Sequence, residues 1–143
     1  MKHQIISFII MIIVGILFNP MNVLAYRLND LYLSLTLFYG GILMASNMVW
    51  SHELIHFLVH NKFNIKTFFI GVILSVSVTI FLLRKQFLVN DKQWLKRMIS
   101  HHSTAITTSK NIKNISSDKK IIKLANDIIK TQEYEIKLMK SYL

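Results

Sequence analysis

Residues 5–18, IISFIIMIIVGILF, form an unbroken apolar run. A helix that is apolar on every side has no face to give to water, so it belongs in a protein core or a bilayer. Asn19, Pro20 and Asn22 interrupt the run, and with Val23-Leu24-Ala25 it extends to Ala25. About 20 residues of helix cross a hydrocarbon core of about 30 Å. Two more apolar segments follow, FYGGILMASNMVWSHELIHFLVH from Phe38 to His60 and TFFIGVILSVSVTIFLL from Thr67 to Leu83, the latter stopped by Arg84-Lys85. The expected membrane domain is therefore 1–89, with three transmembrane helices at about 5–25, 38–59 and 67–83. Lys2 ahead of the first run and Val23-Leu24-Ala25 behind it also fit a cleaved signal peptide. Pro20 sits late in the run, which favours an uncleaved helix.

Charge divides the chain. Residues 1–83 hold four basic and two acidic side chains, while 84–143 hold thirteen basic and five acidic ones, a net of +8. Such a surface next to a membrane is drawn to anionic headgroups, so the lipid bilayer is the expected partner. No nucleic-acid motif is present, and nucleic acid is not expected. With three spans, Lys2, Lys62 and Lys66 fall on one side and Arg27, Arg84, Lys85, Lys92, Lys96 and Arg97 on the other. That bias places the tail in the cytoplasm, whereas cleavage of the first segment would export it. The absence of Cys excludes disulfides, thiolate metal sites and a cysteine nucleophile. The Ile, Lys and Asn bias suits an AT-rich genome, such as that of a low-GC bacterium or a large DNA virus.

After the apolar runs, Asp91 to about Lys110 reads as one helix, with Trp94, Met98, His102 and Ile106 at helical spacing. Residues 111–116 read as a polar linker, and Ser117 or Asp118 as the N-cap of a second helix. Its apolar stripe is Ile122, Ala125, Ile129, Ile136, Met139 and Leu143, with Gln132 in the same row. The expected fold is all-α, with a C-terminal helical hairpin over 90–143. A lone hairpin buries little core, so a homo-oligomer through this region is expected.

QWLKRMISHHSTAI (93–106) and IIKLANDIIKTQEYEIKLMKSYL (121–143) resemble the family catalogued as domain of unknown function 305. The matching residues are Met98, His101-His102, Gln132, Glu135-Ile136 and Met139. The segments upstream resemble a membrane-anchored subgroup with a second span rich in Met and His. The resemblance implies a ferritin-like helical bundle, and for some members copper or silver handling through His and Met. Relatives often carry further Met after the His pair; here Ser103 to Ser109 contains none.

Two His/Met groups are candidates for chemistry. Met98, His101, His102 and Met139 form the first, with Glu135 one turn from Met139. Thioether plus imidazole suits Cu(I). The alternative is a His packed in the helix interface with Gln132 as its hydrogen-bond partner. Met44, Met48, His52, His56 and His60 form the second group, every fourth residue of one segment. Such a row drifts about 40° per step on a straight helix, so neighbours can share an ion. His52-Glu53-Leu54-Ile55-His56 also fits HExxH, the zinc-protease pattern, in which Glu53 would be the base. No third ligand follows it clearly, and the chain is short for a protease. A polar face buried against other helices is the third reading of the same row. The expected function is a non-enzymatic membrane protein that binds a transition metal, copper foremost; the alternatives are an intramembrane zinc protease and a metal-free interaction protein. Asn114-Ile115-Ser116 is an N-glycosylation sequon, relevant only to a lumenal tail.

Overall fold

The computed structural model describes residues 2–143, with side chains described from residue 5 onward. The Lys2 side chain used in the orientation argument lies outside the described residues. Every regular element described is helical: α1 (Lys2–Leu17), α2 (Pro20–Val23), a 3-10 turn (Leu28–Asp30), α3 (Leu35–His60), α4 (Ile65–Ser77), π-helical turns (Val78–Arg84), α5 (Asp91–Ile115) and α6 (Lys119–Ser141). The chain forms two compact units, Met1–Phe18 with Leu35–Leu88, and Asn19–Ser34 with Val89–Leu143.

The first unit is built from α1, α3 and α4. Pro20 lacks an N–H to continue α1, and Asn19 caps the short α2 by accepting from the Met21 N–H at 3.1 Å. Asn61 ends α3 in the left-handed region at φ 53°, a conformation that asparagine tolerates. Asn64 then caps α4, accepting from the Thr67 N–H at 3.2 Å. Glycine sets both helix contacts. A Cβ on Gly41 would lie 2.8 Å from the Ile12 carbonyl oxygen of α1, and one on Gly71 2.8 Å from the Trp50 nitrogen of α3. Ile9, Ile10 and Ile13 of α1 and Phe69, Ile70, Ile73 and Phe81 of the third apolar segment point outward and are exposed.

Two helical stretches, Ile5–Val23 and Ile65–Arg84, are long and apolar enough to cross a membrane, where the sequence led us to expect three. The missing one is α3. Its 26 residues suffice in length, but Asn47, Ser51, His52, Glu53, His56 and His60 lower its mean hydropathy. Only 6% and 17% of the two qualifying stretches is buried within the protein, so neither is a core helix.

The second unit is the α5–α6 hairpin plus residues 19–34, which run along it as a strap. Leu95, Ile99, Ile106, Ile136 and Met139 form its apolar core. Asn90 caps α5 and Asp118 caps α6, the latter accepting from the Lys120 N–H at 2.7 Å. α5 runs to Ile115, five residues beyond the expected end at Lys110, because nothing in Asn111–Ile115 breaks a helix. The strap, read from sequence as a plain connection, is held by buried polar groups on α5. Ser103 Oγ donates to Asp30 Oδ2 at 2.8 Å and accepts from the Tyr26 N–H at 2.8 Å. Ser100 Oγ donates to the Asp30 carbonyl at 2.8 Å, and Thr104 Oγ1 to the Met21 carbonyl at 3.0 Å. Lys140 of α6 closes the cluster with an ion pair to Asp30 Oδ1 at 2.6 Å. Asp30 is only 1% exposed, and all its charge is balanced locally.

Candidate functional site

Helical periodicity stacks the histidines of α3. Residues four apart lie on one face, and the rings of His52 and His56 stack with centroids 6.2 Å apart, those of His56 and His60 at 4.9 Å. Two imidazoles sharing one ion, each about 2 Å from it through a ring nitrogen, hold their centroids roughly 5–6 Å apart. The observed spacings, 6.2 and 4.9 Å, lie just beyond either end of that range. His56 is also oriented. Its Nδ1 lies 3.1 Å from the Lys62 carbonyl oxygen. A carbonyl only accepts, so Nδ1 carries the proton and Nε2 keeps its lone pair in the neutral ring. A backbone carbonyl on the non-ligating nitrogen is the usual support of a metal-binding histidine.

His52 and His56 open on a cleft of ≈570 Å³ completed by the α3–α4 connection. Met48 and His52 both line a second cavity of ≈340 Å³. Met44 is used differently: its sulfur packs against Gly15 of α1.

Glu53 lines the same cleft as His52 and His56. Its carboxylate is 8% exposed and accepts from the Asn64 backbone N–H at 3.3 Å. That contact ties α3 to the start of α4. Among the described residues, no three His, Asp or Glu side chains converge as a metal cluster.

In the second unit the same residue types are arranged otherwise. His102 Nδ1 lies 2.8 Å from the Met98 carbonyl, and Nε2 lies 2.8 Å from Glu135 Oε2. Both partners accept, so each ring nitrogen of His102 already faces an oxygen. Sequence reasoning named Gln132 as the partner; Glu135, one turn further along the same helix, takes that place. Met139 is buried in the hairpin core and Met98 packs against it, both as apolar side chains. His101 is exposed and meets His102 edge to face with centroids 5.8 Å apart. Partial burial, the neighbouring His102 and Arg97 all push its pKa below the ordinary imidazole value. The structure thus keeps Met98, His102 and Met139 together and gives each a packing or hydrogen-bonding role.

Residues 83–143 match the family described as Domain of unknown function (DUF305). The chain is also similar to "Uncharacterized protein L153" of Acanthamoeba polyphaga mimivirus, 38% identical over 126 residues that cover 87% of this chain and 81% of that one. No solved structure matches.

Proposed function

The chain belongs to the family of domain of unknown function 305, and from that premise we propose a non-enzymatic, multi-pass membrane protein that holds copper on the histidine face of α3. The observation that carries the metal reading is His56, whose Nδ1 is committed to the Lys62 carbonyl and whose Nε2 stays available beside His52 and His60. Imidazole with the Met48 thioether favours Cu(I) or Ag(I) over hard cations. Zinc is the alternative occupant of a histidine pair.

Membrane spanning is supported by the outward apolar faces of α1 and of Ile65–Arg84, which give water nothing to bind. In this reading α3 is the third span. It is long enough, about 39 Å at 1.5 Å per residue, and its polar groups are hydrogen-bonded or lie on the histidine face. The close Gly15–Gly41 approach favours α1 as a retained helix rather than a cleaved signal. Three spans place Arg84, Lys85 and the basic tail on the cytoplasmic side. Leu124, Leu138 and Tyr142 are exposed along one flank of α6, which favours pairing of the hairpin with a second copy into a ferritin-like four-helix bundle.

Two measurements test this reading. Protein extracted with alkaline carbonate should remain in the membrane pellet; release into the supernatant excludes spanning. Detergent-purified protein incubated with Cu(I) should retain copper by elemental analysis. No uptake leaves the histidines as structural groups. The HExxH protease reading is tested by Glu53→Gln, which removes turnover if the carboxylate is a base and otherwise changes only stability.

A further inference from the structure

We propose that the closed end of the α5–α6 hairpin is a binding cleft for a phosphate group, carried by a phospholipid headgroup or by a soluble phosphate. A cavity of ≈360 Å³ lies there, lined by Lys110, Lys113, Asn114, Asn126, Ile129 and Lys130. Three lysines and two asparagines line one space, and no carboxylate residue does.

Elsewhere in this unit charge is neutralised in place. Lys140 pairs with Asp30, and His102 contacts Glu135. Among the described residues neither Lys113 nor Lys130 has an ion-pair partner. Three like charges around one cavity repel, and the repulsion is relieved by a multivalent anion at their centre. Lysine ammonium groups and carboxamide N–H groups are the donors that phosphate oxygens accept from.

One of the lysines is preorganised. Lys110 Nζ sits 3.8 Å over the centroid of the Tyr26 ring and donates to its hydroxyl at 2.5 Å. The strap therefore orients Lys110 at the cleft before any ligand arrives, and strap and cleft are one structure. The dipole of α5 favours a cation in its last turn, which accounts for Lys113 alone. It does not account for Lys110 a turn earlier or for Lys130, which comes from the partner helix.

The proposal does not rest on the membrane or copper readings, because its probes are soluble. Full-length protein in uncharged detergent is titrated calorimetrically with inorganic pyrophosphate and, separately, with water-soluble short-chain phosphatidic acid. Binding of either probe is expected, and the one that binds more tightly identifies the source of the phosphate. Lys113→Gln with Lys130→Gln should weaken it about tenfold, the scale of losing charge-assisted hydrogen bonds. Lys92→Gln with Lys137→Gln removes the same charge outside the cleft and should change affinity less than about twofold at moderate salt. If neither probe binds, or if the two double variants weaken binding equally, there is no cleft site and only the field of a basic surface remains.

Discussion

α3 and α5 both present methionine one helical turn before histidine, yet the two helices use the pair in opposite ways. On α3, His56 commits one nitrogen to a backbone carbonyl and keeps the other available, and its neighbours His52 and His60 are exposed. On α5, His102 has an acceptor at each nitrogen and is itself only 12% exposed. The difference lies in what faces each ring. The α3–α4 connection supplies a single carbonyl and an open cleft, whereas α6 supplies Glu135. The same His/Met spacing thus meets different hydrogen-bond surroundings in the two helices, set by the group opposite each ring.

The largest expected effect breaks or upholds this contrast directly. His52→Ala with His56→Ala should abolish Cu(I) uptake by the full-length protein, while His101→Ala with His102→Ala should leave most of it. Loss of uptake in the second variant and not the first would reverse the comparison. Uptake should also fall at acidic pH, because protonated imidazole cannot ligate.

Next comes the strap. Asp30→Ala removes the acceptor of Ser103 and Lys140 from a buried position and should destabilise the second unit by about 2–3 kcal/mol, the scale of charged hydrogen bonds. Thermal unfolding of the full chain, followed by circular dichroism, reads this out; an unchanged midpoint would mean that the strap is not part of the folding unit.

Gly41→Leu tests the first unit. Its side chain meets the Ile12 carbonyl oxygen, backbone that cannot yield, and should cost about 1–3 kcal/mol while opening α1 to protease. An α1 that stays as protected as in the parent would show that the glycine contact does not hold it.

Glu135→Gln should lower stability by no more than about 1 kcal/mol, since the carboxylate is 41% exposed and screened. It also frees His102 Nε2 from a carboxylate, so a gain of Cu(I) binding in this variant would sharpen the contrast further.

The smallest effect is in pH dependence. His101 titrates lower in the folded protein than in the unfolded chain. Between the two values the unfolded chain binds the extra proton, so stability is full above the ordinary imidazole pKa of about 6.5 and declines as pH falls through the folded value. His101→Gln should flatten that decline in melting curves recorded across the acidic range; an unchanged slope would assign it to other groups.

Much of the fold was legible from local rules. Asp118, one of the two expected caps, does cap α6, and Pro20 interrupts the first apolar run. α5 outran its expected end because a polar, breaker-free stretch reads equally as helix or linker, and here Asn111–Ile115 stay helical although exposed. The strap escaped notice because Asp30 is a single acid in a short connection. Its one trace in the sequence is the run of small hydroxyls, Ser100, Ser103 and Thr104, on one face of α5, where a backbone can approach closely.

What the sequence determined by itself is the class of structure. Long apolar runs, two amphipathic tail helices and scarce Gly and Pro admit little other than helices, because backbone polar groups in apolar surroundings must be paired within their own segment. Tertiary structure alone decided what faces each imidazole, that Glu53 accepts from the Asn64 N–H, and that residues 19–34 fold with 89–143. Each of those depends on a group that the residue's own helix does not supply. Hydrogen bonds are directional and short, so periodicity places a side chain on a face but cannot say what waits opposite it.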